Sequence, residues 1–164
     1  EKMNESIFFH VSKEDSGMSY SVKKIDNPDL NWKKMNVSTL DNELKKLKKI
    51  KVVKIDIEGS EVKVLRGANS LLKKHTVKYW IVEYARNCLL RHNDSLHTLR
   101  KLMKSHGLDM FLLETNGGLP KYIPENTFIY SHIISNLLFT KIEHLDKDWI
   151  ADDITSSIIP EKII

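Results

Sequence analysis

The stretch Val52-Val53-Lys54-Ile55-Asp56-Ile57-Glu58-Gly59-Ser60-Glu61 decides the fold of this chain. Its first half is a short run rich in β-branched residues, which is typical of a strand that a parallel sheet buries. Glu58 and Gly59 then favour a turn, and the apolar residues that follow have helical spacing as far as Gly67, which favours a helix end. The stretch therefore predicts a strand, a turn and a helix in direct succession.

The chain after this stretch repeats the alternation of strand and helix. A second buried strand at residues 79–83 places strand, helix and strand within about 32 residues, the size of one βαβ crossover. Asn93 or Asp94 is suited to cap a further helix that Gly107 closes. More strands are predicted at residues 110–113, 127–134 and 137–140. This alternation predicts an α/β sheet with an antiparallel element near its end.

The chain before this stretch predicts a hairpin. Residues 7–11 and 18–25 have strand composition, and the Ser, Asp and Gly residues between them favour a turn. Residues 32–37 are also extended in character and lead to Thr39, which is a good N-cap for a helix that would run to about Lys49.

The composition is that of an ordinary globular protein. With 164 residues, 41% of them hydrophobic and 29% charged, the chain is long enough for a sizeable core and is neither disordered nor fibrous. A net charge of +4 is too small to indicate a nucleic-acid partner. The single cysteine, Cys88, excludes an intrachain disulfide and a cysteine-rich zinc site, and no apolar run is long enough to span a membrane. We therefore expect a cytoplasmic protein with no nucleic-acid or membrane partner.

Carboxylates follow each of three predicted strands. Ligands of an open parallel sheet bind beyond the carboxyl ends of its strands, where Asp56 and Glu58, then Glu83, then Glu114 are expected. If the strands are neighbours, these carboxylates converge and can bind a cation, act as a general base or accept hydrogen bonds. The alternative is that they favour the positive end of the next helix, and both interpretations stay open for Glu58 and Glu61. A functional role is favoured for Glu83, because no helix start follows it directly.

Lys54 and Asp56 lie on one face of the predicted strand, since strand side chains alternate with a period of two. Burial of an unpaired ammonium group is costly. Lys54 therefore either pairs with Asp56 or another carboxylate, or lies at a sheet edge where it reaches water. The seven histidines are scattered, and none is assigned a catalytic role. The sequence has no serine-nucleophile elbow, Walker loop or zinc motif.

Four stretches of the sequence resemble the FkbM family of S-adenosylmethionine-dependent methyltransferases. That family has a Thr-Leu-Asp helix start, a Lys-Ile-Asp-x-Glu-Gly-x-Glu junction between strand and helix, a Leu-x-Gly-Ala helix end and a strand that closes in Val-Glu. This chain has all four in the same order, at residues 38–41, 53–61, 64–68 and 81–83. Residues 7–11, 16–19 and 136–139 resemble segments that flank these motifs in the family. The resemblance therefore extends from about residue 5 to about residue 142.

The resemblance implies a Rossmann-like class I methyltransferase sheet with a reversed last strand. It covers only the later half of the family's domain, because this chain has neither the glycine-rich loop of a first strand nor the acidic end of a second strand. Residues 1–150 are therefore interpreted as the C-terminal portion of such a domain, in a fragment or a degenerate copy. Residues 151–164 form a tail of undecided structure. The implied activity is O-methyl transfer to a hydroxyl of a small metabolite or sugar.

The resemblance and the predicted strand ends indicate the same residues. Asp56, Glu58 and Glu83 are the candidate catalytic residues, and no residue is assigned to a metal. Asp56, Gly17 and Ser19 are the candidate residues for binding S-adenosylmethionine, although the turn near Gly17 is alternatively only the end of a hairpin. Because half of the domain is missing, we expect weak or absent cofactor binding, no activity by this chain alone and self-association through an exposed sheet edge.

Two other classes of function stay open. The first is a non-catalytic α/β interaction module that has lost its cofactor-binding half, which requires a stable partner at the sheet edge. The second is a metal-dependent enzyme that uses the converging carboxylates for phosphate or sugar chemistry, which requires magnesium or manganese.

Overall fold

The computed structural model describes residues 6–11, 20–22, 24, 26, 31–125, 127, 129 and 134–145. These residues form two β-sheets. The smaller sheet is antiparallel and contains β1 (Ser6–His10), β2 (Tyr20–Val22) and β3 (Trp32–Asn36) in the order β2-β1-β3. The pairing of β1 with β2 confirms the predicted hairpin. Its turn, with Gly17 and Ser19, lies outside the described residues, as does the tail 151–164.

The larger sheet has five strands, β4 (Ile50–Ile55), β5 (Val77–Tyr84), β6 (Asp109–Leu113), β7 (Lys121–Tyr122) and β8 (Ser135–Thr140). Their order is β4-β5-β8-β6-β7. β4 and β5 are parallel, whereas β8 is antiparallel to both of its neighbours. The chain therefore has a mixed α/β fold, and the antiparallel strand near the end is confirmed. The sequence did not predict that β8 would separate β5 from β6.

The described residues also form five α-helices, α1 (Leu40–Glu43), α2 (Glu61–Arg66), α3 (Asn69–Lys73), α4 (Arg86–Arg91) and α5 (Leu96–Lys104). A 3-10 turn follows β8 at Ile142–His144. α2 and α3 connect the parallel strands β4 and β5, which confirms the predicted succession of strand, turn and helix. The chain leaves α5 through Gly107, whose left-handed φ of +70° suits a glycine after a helix end, as predicted.

Helix α1 is shorter than the sequence predicted, because it ends at Glu43 and not near Lys49. A helix continued through residues 45–49 would place like-charged lysines three and four residues apart, which destabilises a helix. Gly67 caps α2 as predicted, but its φ of −80° is not left-handed.

Helix α5 begins at a different cap from the one predicted. Ser95 is the N-cap, and its Oγ accepts the Thr98 N–H at 3.1 Å. Asn93 has a left-handed φ of +57°, which is not the extended conformation of an N-cap residue. The strand predicted over residues 127–134 is described only at 127, 129 and 134, and none of these three lies in a strand.

One hydrophobic core lies between the helices and one face of the larger sheet. The helices contribute Val62, Leu65, Leu72, Leu99 and Met103, and the central strands contribute Trp80, Val82, Leu137 and Phe139. Burial of each such side chain stabilises the fold by roughly 1.5–3 kcal/mol. Because side chains alternate along β5, Tyr79 lies on the opposite face in a smaller cluster with Phe111 and Leu138. The central strands are therefore buried on both faces.

Strand β4 lies at an edge of the larger sheet among the described residues. Its last residue, Ile55, is buried, whereas Lys51, Val52 and Lys54 are exposed. The prediction of a parallel strand here is confirmed, but the prediction that the sheet buries it is wrong for most of its length. Because β4 lies at the edge of the described sheet, the Lys51 and Lys54 side chains can reach water without loss of hydration.

Candidate functional site

The turn between β4 and α2 has a backbone conformation that requires glycine. Glu58 and Gly59 have left-handed φ values of +52° and +102°. A Cβ atom on Gly59 would lie 2.1 Å from the carbonyl oxygen of Cys88 and 2.9 Å from the ring of His92. Glycine is needed here both for its φ and for the close approach of α4.

Glu61 holds this turn in place. Its side chain is buried, with 2% exposed, and its Oε1 accepts the Gly59 N–H at 3.0 Å and the Ile57 N–H at 3.4 Å. Burial raises the pKa of Glu61, and the hydrogen bond from the Gly59 backbone opposes this shift. For Glu61, the contacts therefore support the structural interpretation.

Three carboxylates meet at the carboxyl ends of β4 and β5. One oxygen each from Asp56, Glu58 and Glu83 lies within 4.8 Å of the others. The register of the two parallel strands pairs Ile55 with Val82, so the residues that follow, Asp56 and Glu83, are brought level with each other. The predicted convergence is confirmed for these three residues, which we name the carboxylate cluster.

Glu114 does not belong to the carboxylate cluster. β8 lies between β5 and β6, and Glu114 Oε1 lies 2.6 Å from Lys121 Nζ in an ion pair. The sequence suggested convergence of all three strand ends only if the strands were neighbours, and this condition fails for β6.

Asp56 and Glu83 interact directly and have opposite pKa shifts. Burial first, then a hydrogen bond with Asp56 and the charges of Asp56 and Glu58, raise the pKa of Glu83 to about 7. The hydrogen bond from Lys54, with Nζ 2.7 Å from Asp56 Oδ2, is the main cause that lowers the pKa of Asp56. Near neutral pH the ionised and protonated forms of Glu83 are therefore both populated, while Asp56 stays ionised.

Lys54 satisfies both of the alternatives predicted for it. It pairs with Asp56, and with its side chain 54% exposed on an edge strand it also reaches water. Three clustered carboxylate oxygens have the chemistry of a site for a hard cation. The ammonium group already bound to Asp56 supplies positive charge at this place, so we assign no metal to the cluster.

Helix α4 supports the third member of the cluster. The Cys88 Sγ lies 3.2 Å from Glu58 Oε2 and accepts a hydrogen bond from Arg91 at 2.9 Å. Burial and then the hydrogen bond with Glu58 raise the pKa of Cys88. The sequence did not predict α4, and the premise that no helix start follows Glu83 was wrong, because α4 begins at Arg86.

A polar chain that includes His92 lies beside the carboxylate cluster. Lys63 Nζ lies 2.7 Å from His92 Nδ1, and Ser60 Oγ lies 3.5 Å from His92 Nε2. A protonated lysine only donates hydrogen bonds, so Nδ1 accepts and Nε2 carries the ring proton toward Ser60. Ser60 Oγ is also 3.5 Å from Ser21 Oγ, which brings β2 to this side of the larger sheet. No sequence signal marked His92, because its partners are distant in the chain.

The Thr39-Leu40-Asp41 motif has structural contacts. Thr39 caps α1, and the Asp41 carboxylate accepts the N–H groups of Ser70 and Leu71 at 2.8 and 2.9 Å. Asp41 therefore caps α3 from a distance of about 30 residues along the chain. This contact gives the Asp41 carboxylate a structural role at the start of α3. Among the motif stretches, the carboxylate cluster is therefore the candidate for a chemical role.

Comparison with known proteins identifies the family. A family model for the methyltransferase FkbM domain matches residues 3–110, more than half of the 164 residues. No curated protein and no solved structure matches the chain. Among the described residues, no helix combines the length and apolarity that a membrane crossing needs. The matched range contains the junction at residues 52–61 and the whole carboxylate cluster, and the chain belongs to the methyltransferase FkbM family.

Proposed function

We propose that this chain takes part in O-methyl transfer from S-adenosylmethionine to a hydroxyl group of a small metabolite or sugar. Membership of the FkbM family supports methyl transfer and the use of S-adenosylmethionine in general. The observation that carries the finer proposal is the Asp56–Glu83 pair, two interacting carboxyl groups with opposite pKa shifts at the ends of parallel strands. Such a pair provides one proton-accepting group and one permanently charged group.

Glu83 is the proposed base. O-methylation removes the proton of the acceptor hydroxyl, and a carboxyl group with a pKa of about 7 takes up a proton near neutral pH better than an ordinary glutamate. Asp56 stays ionised beside Lys54, so it accepts a hydrogen bond from the acceptor and orients it. Glu58 offers a further oxygen to a neighbouring hydroxyl. Three acceptor oxygens in one cluster suit a polyhydroxylated substrate such as a sugar.

The carboxylate cluster also suits the positively charged sulfonium group of S-adenosylmethionine. When bound, this cofactor supplies a methyl group on a positively charged sulfonium, which carboxylates attract. The proposed contacts are Asp56 with Gly17 and Ser19, the last two of which lie outside the described residues.

The proposal includes a Rossmann-like methyltransferase sheet of which this chain supplies the later half. The support is β4, an edge strand in the described sheet with Val52 46% exposed, which leaves space for a further strand. The chain alone is then expected to bind S-adenosylmethionine weakly or not at all, to be inactive and to self-associate through β4. Isothermal titration with S-adenosylmethionine measures the first expectation, and micromolar affinity would contradict it. Light scattering across a concentration series measures self-association.

The test of the activity uses the polypeptide expressed from its natural reading frame, with labelled S-adenosylmethionine and a panel of sugars and other polyhydroxylated metabolites. Asp56→Asn and Glu83→Gln should each lower transfer by roughly 100-fold or more, the usual effect of losing an acid–base group. Glu114→Gln is the matched control, because it also removes a strand-end carboxylate, and it should leave transfer unchanged. Wild-type transfer by both cluster variants would refute the roles assigned to the pair.

A non-catalytic interaction module is the second candidate, and it is favoured by the flank of β4 with which no described strand pairs. It predicts no methyl transfer by the natural polypeptide and a partner strand that pairs with β4. Hydrogen exchange distinguishes the two candidates, because such a partner would protect the β4 amide groups while variants of Asp56 and Glu83 would change neither exchange nor binding.

A further inference from the structure

A groove of about 580 Å³ lies at the edge of the larger sheet opposite the carboxylate cluster. Its walls come from the segments where β5 and β6 begin and where β8 ends. An eight-residue strand such as β5 spans roughly 26 Å, so the groove and the cluster are separate sites.

Four basic side chains from different segments line this groove. Lys73 ends α3, His75 precedes β5, His106 follows α5, and Lys141 follows β8. In the part of the chain that the structure describes, Lys73, His75 and His106 make no side-chain hydrogen bond or ion pair. The groove therefore collects positive and protonatable groups that lack a negative partner there.

The two carboxylates in the groove wall do not supply that partner. Asp109 Oδ1 lies 3.0 Å from Lys104 Nζ, which also lies 3.0 Å from Glu125 Oε1, so the Asp109 carboxylate is engaged in this ion-pair network. Glu143 Oε1 lies 3.8 Å from Lys141 Nζ, a long contact with the glutamate side chain 70% exposed. One loosely held carboxylate thus faces two lysines and two imidazoles.

The environment of His75 indicates the same shortage of negative charge. Desolvation at the groove is the main cause that lowers its pKa, followed by Lys141, His144 and His106, and Glu143 alone opposes the shift. His144 Nδ1 is enclosed and has no hydrogen-bond partner within the described ranges. An anion in the groove would offset this repulsion and favour protonation of His75. Binding of an anion must then take up protons, and its affinity must rise as the pH falls.

We propose that this groove is a binding site for a tetrahedral dianion of the phosphate or phosphomonoester class, held by Lys73 and Lys141 and strengthened at acid pH by His75. The site is distinct from the carboxylate cluster and does not depend on the activity proposed for it. A free phosphomonoester and a phospholipid headgroup present the same chemistry to these side chains.

Sulfate is the probe for the first experiment, because its charge is constant between pH 5.5 and pH 8 while that of phosphate is not. Titration of the whole chain, followed through the imidazole signals in NMR spectra, should give roughly tenfold higher affinity at pH 5.5 than at pH 8. The variant His75→Gln should lose this pH dependence, and Lys141→Gln should weaken binding at both pH values. His97→Gln is the matched control, since His97 is exposed on α5 and does not line the groove. Equal affinity at both pH values, or an equal loss in the control, would overturn the proposal.

A second experiment distinguishes the sources of the anion. The chain is titrated with glycerol 3-phosphate and, separately, mixed with phosphatidylcholine vesicles that contain phosphatidic acid. If the chain binds either probe and Lys141→Gln weakens that binding, the proposal is supported and the source of the anion is identified. Binding to neither, or binding that Lys141→Gln leaves unchanged, overturns it.

Discussion

At the carboxyl end of β5, Glu83 lies with Asp56 and Glu58, whereas at the carboxyl end of β6, Glu114 lies beside Lys121 at 2.6 Å. The difference follows from the direction of the neighbouring strands. β5 adjoins the parallel strand β4, so two carboxyl ends meet at one place. β6 is flanked by antiparallel strands, so its end meets the beginnings of β7 and β8. In this sheet, three carboxylates therefore meet where two parallel strands adjoin, whereas the single carboxylate of Glu114 forms an ion pair with Lys121.

The largest expected effect tests whether the β4–α2 turn holds the carboxylate cluster together. Gly59→Ala should lower the free energy of unfolding by about 3 kcal/mol or more, since its Cβ would lie 2.1 Å from a backbone oxygen at φ +102°. Gly107→Ala is the matched control, because its φ of +70° is also left-handed but nothing lies within 4 Å, and it should cost about 1 kcal/mol. Urea unfolding measures both. Equal costs would show that packing against α4 does not matter.

The next effect tests the coupling between the two strand ends. Asp56→Asn removes the charge that, with burial, holds the pKa of Glu83 near 7, so the pKa of Glu83 should fall toward 4.5 by roughly one pH unit or more. Carbon NMR of the side-chain carboxyl groups measures this shift, with Glu114→Gln as a control that leaves the pKa of Glu83 in place. An unchanged pKa in Asp56→Asn would mean that burial alone causes the shift.

The same coupling predicts how stability depends on pH. The pKa of Glu83 is about 7 in the folded chain, above its ordinary value of 4.5, so folding favours the protonated form. Its contribution to stability is complete below pH 4.5 and is lost as the pH rises through 7. Relative to Glu83→Gln, the wild-type chain should therefore lose stability between pH 4.5 and pH 7.5 in urea unfolding. A difference that is constant or that grows in the opposite direction would contradict the raised pKa of Glu83.

Local sequence was sufficient for the junction at residues 52–61, and for the meeting of Asp56 with Glu83. The pattern specified a strand, a turn and a helix, and a short crossover then makes the next strand a parallel neighbour. It was not sufficient for the end of β6. The order of strands depends on β8, which inserts after a long connection and leaves no trace near Glu114.

Helix α4 and His92 were missed for related reasons. Ala85 precedes α4 and its side chain offers no capping oxygen, so the usual sign of a helix start is absent. His92 acquires its contacts with Lys63 and Ser60 only when α4 packs on the β4–α2 turn. The roles of Gly17 and Ser19 stay a prediction, because both lie outside the described residues.

The smallest expected effect sharpens the comparison from the side of β6. If Glu114 only neutralises Lys121, removal of either partner should change the free energy of unfolding by less than about 1 kcal/mol, the usual range for such an ion pair. A double-mutant cycle of Glu114→Gln and Lys121→Gln, measured by urea unfolding, isolates their interaction. A coupling above about 2 kcal/mol would exceed what a partly exposed ion pair of this kind contributes. It would mean that the Glu114–Lys121 interaction at the end of β6 contributes more to the stability of the fold than neutralisation of a lone carboxylate explains.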